Sequence, residues 1–350
     1  IMTINVPWES GVKEKLINAG NIQNSGIEIA LNTTPIKKKQ GQWDLNFTYT
    51  RNRNKIVELS PDVTSYINLD GAANYGNYRI ASVAKVGSDY GMLMSDSWIK
   101  TDEKTGKPVV GYTNKFRTVY YKRGGTVKEV GSMLPNFLGS LNSTLRWKDL
   151  SLYVLFDARF GGYVASYNSR YATAYGFSGE TEKYRKGMTW TSKYANAQDK
   201  VFTDGFIPDV VFDAGTIVTT PGGTNQDVSG MTYQEAYEKG YVEPAHLQSA
   251  AYFKNSWGTG VINDDWFKKI NYIALREITL SYNVPTKICS YIGAKNLSLS
   301  FTGRNLAYLL NTAPNHENPE SVRGTGAAQF RMRSFMPYTA SYLFTLNATF

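Results

Sequence analysis

Few residues in this 350-residue chain are of types that do covalent chemistry, and they are widely separated. There are two histidines, His246 and His316, and one cysteine, Cys289. A thiol–imidazole nucleophile needs both side chains within hydrogen-bond reach. Both histidines fall in long, irregular segments and Cys289 in a short turn, so the pairing is implausible. No nucleophile elbow, phosphate-binding loop or dinucleotide fingerprint occurs. Asp264-Asp265 and the pair Asp209/Asp213 are of the type that glycoside hydrolysis uses, but nothing in the sequence sets the distance between them. His316, Glu317 and Glu320 carry metal-ligating groups; the preferred reading is a solvated loop. No catalytic residue, metal or cofactor is assigned, and an enzyme is not expected.

Binding suits the composition better. The chain holds 25 Tyr, 16 Phe and 31 Gly. Aromatic faces stack on sugars, and amide side chains bond hydroxyl groups. Tyr163, Tyr167, Tyr171 and Tyr175 recur every fourth residue, which would put them on one face of a helix. They are the candidate ligand-binding residues, although irregular loop packing produces the same spacing.

The elements that must position such residues read as strands. Aromatic and β-branched residues favour strands, and Gly and Asn favour turns. Backwards from the C-terminus, Phe350, Ala348, Leu346, Phe344, Tyr342 and Ala340 alternate with Thr349, Asn347, Thr345, Leu343, Ser341 and Thr339. Only Leu343 breaks the division into an apolar and a polar face. The same alternation runs through Ile27–Leu31, Trp43–Tyr49, Leu141–Trp147, Leu150–Phe156, Ile278–Val284 and Leu297–Phe301. The polar sets are mostly Asn, Thr and Ser rather than Lys and Glu, as suits a water-filled or plugged lumen.

Connections alternate strictly between short and long. The short ones are about 33–42, 147–150 and 285–295; the long ones are about 54–135, 161–265 and 305–338. An up-and-down membrane barrel has short periplasmic turns and long extracellular loops. Starting from a strand near Ile1 to Val6, the pattern predicts about eight antiparallel strands of an all-β transmembrane barrel. Trp43 and Trp147 sit on apolar faces beside short turns, and Trp266 where a long loop re-enters a strand. These are membrane-interface positions, although core aromatics at strand ends read the same way. Met231 to Lys239 predicts a short helix.

Other properties bound the reading. Mean hydropathy is −0.36 and no apolar run approaches the ~18 residues of a membrane helix, which leaves barrel strands untouched. One cysteine rules out an internal disulfide. The net charge of +9 is spread along the chain with no nucleic-acid motif, so no nucleic-acid partner is expected. The start at Ile1 carries no signal-peptide pattern, pointing to a cytoplasmic chain or to a fragment of a longer one.

Several segments resemble one family. Asn21-Ile22-Gln23-Asn24-Ser25-Gly26-Ile27-Glu28 resembles a strand entry of SusC/RagA-type TonB-dependent transporters of Bacteroidetes. Leu134-Pro135-Asn136-Phe137, with the strand closing in Phe160-Gly161-Gly162, is similar to a second motif. Trp266 to Pro285, containing Leu275-Arg276-Glu277, is similar to a third, and Gly303-Arg304-Asn305-Leu306 to a fourth. Asn318-Pro319-Glu320 resembles an Asp-Pro-Glu motif with Asn in place of Asp. Each is weak alone; their order and spacing are specific.

The resemblance implies that residues 1–350 form the C-terminal part of one barrel domain of about 22 strands, with the plug and TonB box outside this sequence. Two open strand edges would then be met by the remainder of the same barrel. It implies a cell outer membrane location in a Gram-negative Bacteroidetes organism and TonB-dependent uptake of a glycan or peptide. The implied partners are a SusD-like surface lipoprotein, TonB through the missing N-terminal part, and outer-membrane lipid. Phe350, with Phe344 and Leu346, matches the barrel-assembly signal. A passive porin and a soluble all-β carbohydrate-binding module remain the alternatives.

Overall fold

The computed structural model describes the chain except residues 1, 6, 13, 18–19, 62, 64, 70–79, 116, 175–176, 178–186, 247–261, 263–266, 324–325, 327–328 and 333–336. Seven long strands build one antiparallel sheet: β1 (Gly20–Lys38), β2 (Gly41–Leu59), β3 (Phe137–Trp147), β4 (Leu150–Ser166), β5 (Phe267–Asn283), β6 (Asn296–Asn311) and β7 (Ser341–Thr349). Each pairs with its neighbours in sequence, so the wall is a simple meander. Lys39-Gln40 joins β1 to β2, and Lys148-Asp149 joins β3 to β4. Helix α3 (Thr286–Cys289) and a 3-10 turn (Ser290–Ile292) join β5 to β6. Cys289 is buried there, its thiol donating to the Val284 carbonyl at 3.4 Å.

The register turns the sequence alternation into two faces. Ile36, Trp43, Leu145, Leu152, Leu280, Phe301 and Phe344 are successive partners across all seven strands. One position along, the row reads Lys37, Gln42, Arg146, Ser151, Ser281, Ser300 and Thr345. A slip of one residue on any strand would mix these rows, which is why the register is sharply specified. Among the described residues nothing covers the outer part of this apolar face: Phe344 is 71% exposed and Phe301 53%. Fully burying one such side chain is worth about 1.5–3 kcal/mol, so a face of this size left in water would be strongly unfavourable.

The structure corrects the expected strand count. Of the segment expected near Ile1 to Val6, the described part does not join the wall: among the described residues Met2–Asn5 pairs only with Glu14–Ile17, in a separate two-stranded ribbon. Seven long strands therefore stand where eight were expected; Pro7 and Gly11 break the segment before it reaches spanning length. The wall strands also run further into the long connections than their alternation suggests. β1 and β2 have 19 residues each, well beyond the ~9–11 that span a bilayer. The long connections accordingly cover 60–136, 167–266 and 312–340.

These connections fold together at one end of the wall. Val109–Thr113 in the first pairs in parallel with Val211–Phe212 in the second, matching Val109 with Val211 and Val110 with Phe212. Around that joint Val119, Phe206, Val218, Val228, Tyr233 and Ala236 form a buried core. Helix α2 (Tyr233–Glu238) carries a capping box between Thr232 and Glu235, in agreement with the predicted helix. The third connection reaches the wall through Arg331–Met332, which pairs in parallel with Ala165 and Ser166 of β4.

Candidate functional site

The polar face of the wall is a lattice of side-chain hydrogen bonds. Asn46 donates to Asn32, and the hydroxyls of Thr48 and Ser140 meet at 2.6 Å. Thr279 and Thr302 are 2.9 Å apart, and Ser281 and Ser300 2.8 Å. Asp44 accepts from Thr34, Gln42 and Arg146. Arg304 Nε donates to Glu277 Oε2 at 2.9 Å. Cross-strand pairs of this kind stabilise a sheet by a few tenths to ~1 kcal/mol each. They also leave hydroxyl and amide edges free for a polar solute.

Where this face meets the third connection, one guanidinium gathers three elements. β5 has an extra residue at Arg276: Leu275 pairs with Phe156 but Glu277 with Leu155. On the other side Leu275 pairs with Ala307 and Glu277 with Arg304, so β6 bulges too. Asn305 takes φ 51 there, a left-handed conformation that Asn tolerates well. Bulges of this kind re-aim side chains. Arg276 bonds Asp157 Oδ2 through Nη2 at 2.8 Å and both oxygens of Glu320 at 2.6 and 2.7 Å. Tyr308 donates to Glu320 at 2.7 Å and to Asn318 at 3.1 Å. The guanidinium lies over the Tyr272 and Tyr308 rings. Partial burial alone would raise the Glu320 carboxyl, but hydrogen bonds from Arg276 and Tyr308 outweigh it and hold the group below its ordinary value. The Leu275-Arg276-Glu277, Gly303-Arg304-Asn305-Leu306 and Asn318-Pro319-Glu320 motifs are thus parts of one contact.

The Leu134-Pro135-Asn136-Phe137 and Phe160-Gly161-Gly162 motifs form a second such joint. Gly161 and Gly162 have φ of +86 and +89. A Cβ on Gly161 would lie 2.8 Å from the Asn136 amide nitrogen, and one on Gly162 2.8 Å from the Met133 carbonyl. Only glycine satisfies both the backbone and the space.

The four candidate tyrosines are not on one helix. Tyr163 belongs to β4, Tyr167 opens helix α1 (Tyr167–Ala174), and Tyr171 lies within it. Tyr167 is buried against Leu93, Met133, Phe267 and Phe330, with Tyr163 and Tyr171 packed on the same cluster. Their arrangement is that of a loop core. Tyr175, Trp266, Asp264 and Asp265 lie outside the described residues. Trp43 stands on the apolar face beside the β1–β2 turn and donates to Ser143 at 2.9 Å. Trp147, 57% exposed, is beside the β3–β4 turn. Phe344 and Leu346 lie on the exposed apolar face, and Phe350 is exposed as well.

The other chemical candidates separate. Asp209 is paired with Lys107, and Asp213 with Lys100 and Lys122. Burial opposes ionisation of Asp213, but the two lysines prevail and keep its carboxyl below the usual value. That is the chemistry of a loop fastener, not of a proton donor. Glu317 and Glu320 point to different partners, Ser166 and Arg276, and His316 is exposed. Among the described residues no group of His, Cys, Asp and Glu is arranged to hold a metal. For Glu317 it was the burial that the sequence hid: burial pushes its carboxyl up to about 7, opposed by the Ser166 hydroxyl. A Glu among polar loop residues gives no signal of burial.

Comparison with known proteins places this architecture. No family model matches the chain. TonB-dependent receptor P26 of Formosa agariphila is 22% identical over 313 residues, covering 87% of this chain and 26% of the relative. TonB-dependent receptor SusC of Bacteroides thetaiotaomicron is 30% identical over 94 residues, covering 26% of this chain and 9% of the relative. Among solved structures, the RagAB peptide transporter superposes with a TM-score of 0.56 at 15% identity, covering 99% of this chain and 31% of that one. The closed-closed state of the RagAB peptide importer gives 0.55 at 16% identity. The resemblance to SusC/RagA-type TonB-dependent transporters therefore holds in sequence and in fold. The chain spans about a quarter of the length of the P26 receptor it matches.

Proposed function

We propose that this chain is the C-terminal wall and three long loops of an outer-membrane, TonB-dependent nutrient importer. Residues 1–350 form part of one barrel domain in the cell outer membrane of a Gram-negative Bacteroidetes organism. The observation that carries this reading is the sheet itself. One face is largely apolar with many of its side chains exposed, the other is a hydrogen-bonded polar lattice, and the long connections gather at one end. A sheet in water hides its apolar face; a barrel wall turns it to lipid.

The polar lattice then lines the path of a glycan or peptide, which needs many weak hydrogen bonds rather than one tight site. A SusD-like surface lipoprotein closes over the loops, and TonB acts through the rest of the protein. The resemblance to SusC and RagAB supports the lipoprotein partner. Trp43, Trp147 and Trp266 mark the membrane interface, and Phe350 with Phe344 and Leu346 provides the assembly signal.

The test uses the full-length protein. Expected are extraction from membranes only with detergent, and uptake of labelled oligosaccharides or peptides that stops when the proton gradient is collapsed. Uptake that survives the collapse would leave a passive porin. A folded, monodisperse full-length protein obtained without detergent would leave a soluble carbohydrate-binding module.

A further inference from the structure

β2 does not stop where its apolar face stops. Phe47 and Tyr49 are followed on the same face by Arg51, Arg53 and Lys55. Their partners on β1 are Ile27, Ser25 and Gln23. Side chains alternate strictly along a strand, so the three cations point to the side of Trp43, Leu45 and Phe47, away from the polar lattice. Just below them Phe137 lies 5.3 Å from Tyr49 and 4.8 Å from Phe160, an aromatic patch on the same face.

Height along the wall follows from strand geometry. Arg51 is eight residues from Trp43, roughly 26 Å along the strand and about 20 Å along the membrane normal at the usual tilt. Lys55 is four residues further, at about 30 Å by the same measure. The apolar band of a membrane barrel is about 25 Å tall. The cations therefore straddle its outer edge.

A cleft of about 710 Å³ opens beside them, bounded by β2, Gly87–Asp89 and Leu134–Phe137. Such a volume is within the ~300–1,000 Å³ usual for small-molecule sites. Asp89 lines it too, so three cations face one carboxylate. Among the described residues, Arg51, Arg53 and Lys55 make no ion pair or side-chain hydrogen bond. Three like charges on alternate positions of one strand repel each other, and an anion would relieve that.

We propose that this cluster binds the phosphate of a glycolipid headgroup in the outer leaflet. The inference rests on the membrane reading above. An occupant spanning a cationic cleft and the apolar surface below it must itself be anionic at one end and apolar at the other. Arginine forks match phosphate oxygens, Gln23 and Ser25 offer bonds to sugar hydroxyls, and Ile27, Ile29, Leu31 and Phe47 meet the acyl chains.

The full-length transporter in mild detergent is tested with diphosphoryl lipid A, the same lipid after phosphatase treatment, and inorganic phosphate, binding being read by native mass spectrometry. Expected is a loss of about ten-fold or more for the R51S/R53S/K55S variant and for the dephosphorylated lipid. A K37S/K38S/K39S control, with the same charge change at the short-turn end, should bind like the wild type. R51K/R53K should retain part of the affinity, showing that charge rather than misfolding is read. Equal binding of both lipids, or of the triple variant, overturns the proposal. Displacement by inorganic phosphate at comparable concentration overturns the lipid in favour of a free-anion site. Failure of the membrane reading would appear earlier and separately, as full-length protein recovered without detergent.

Discussion

The wall and the loop cap use apolar side chains in opposite ways. In the cap, Phe212 and Tyr233 are 1% and 0% exposed, packed around a joint between connections about a hundred residues apart. In the wall, Phe301 and Phe344, side chains as large, stand exposed on the apolar face. One polypeptide is thus built for two solvents, and the change falls at the level of the Arg276 contact and the Gly161-Gly162 bulge. Below that level stability comes from the strand ladders; above it, from burial in water.

Four perturbations test that contrast. Phe212→Ala empties the middle of the cap core and should cost it about 3–5 kcal/mol. The cap should become sensitive to limited proteolysis while the heat-modifiable band of the folded barrel persists. Loss of that band at the same temperature would show that wall and cap melt as one.

Leu141→Arg and Asn142→Arg put the same charge on opposite faces of β3. The first should cost about 2–4 kcal/mol in a bilayer and lower membrane assembly; the second should be tolerated. Equal effects, measured as folded protein per milligram of membrane, would sink the assignment of faces.

Arg276→Ala removes the bidentate partner of Glu320 and leaves two carboxylates side by side. We expect a loss of about 1–3 kcal/mol, confined to the third connection and visible as faster hydrogen exchange over 312–323. Uniform acceleration across β5 would instead make Arg276 a wall residue.

Glu317 gives an effect that only a change of pH reveals. Its folded-state value of about 7 lies above the ordinary carboxyl value of 4.5. Its contribution is therefore complete below about 4.5 and is lost as pH rises through about 7, with a slope of at most about 1.4 kcal/mol per pH unit. Protease sensitivity of the third connection should rise from pH 5 to pH 8 in the wild type and stay flat in Glu317→Gln. A wild-type rise toward acid would reverse the sign and reject the assignment.

The wall was legible because its information is local. A period of two survives in any strand with one apolar face, and Trp43 through Tyr49 reads the same in the string as in the sheet. Legibility ended at Arg51, where both faces of β2 become polar and alternation carries no contrast. The first expected strand failed because four residues of pattern do not distinguish a spanning strand from a small ribbon. The cap was illegible for another reason. Its core joins two- to six-residue strands from different connections, and nothing in Val109 announces Val211. The tyrosine spacing misled because a period of four is a helical cue only from Tyr167 onward; Tyr163 belongs to a strand. Arg276 and Glu320 were visible as motif members but not as partners, since a contact across 44 residues leaves no trace in either string alone.

The parallel pairing of Val109–Val110 with Val211–Phe212 has a consequence for redesign. A connection transplanted from a relative would bring half of a shared interior and meet a half shaped for another. Loop exchange should therefore succeed with the two connections moved as one cassette, and a library that varies either alone will sample mostly mispacked exteriors.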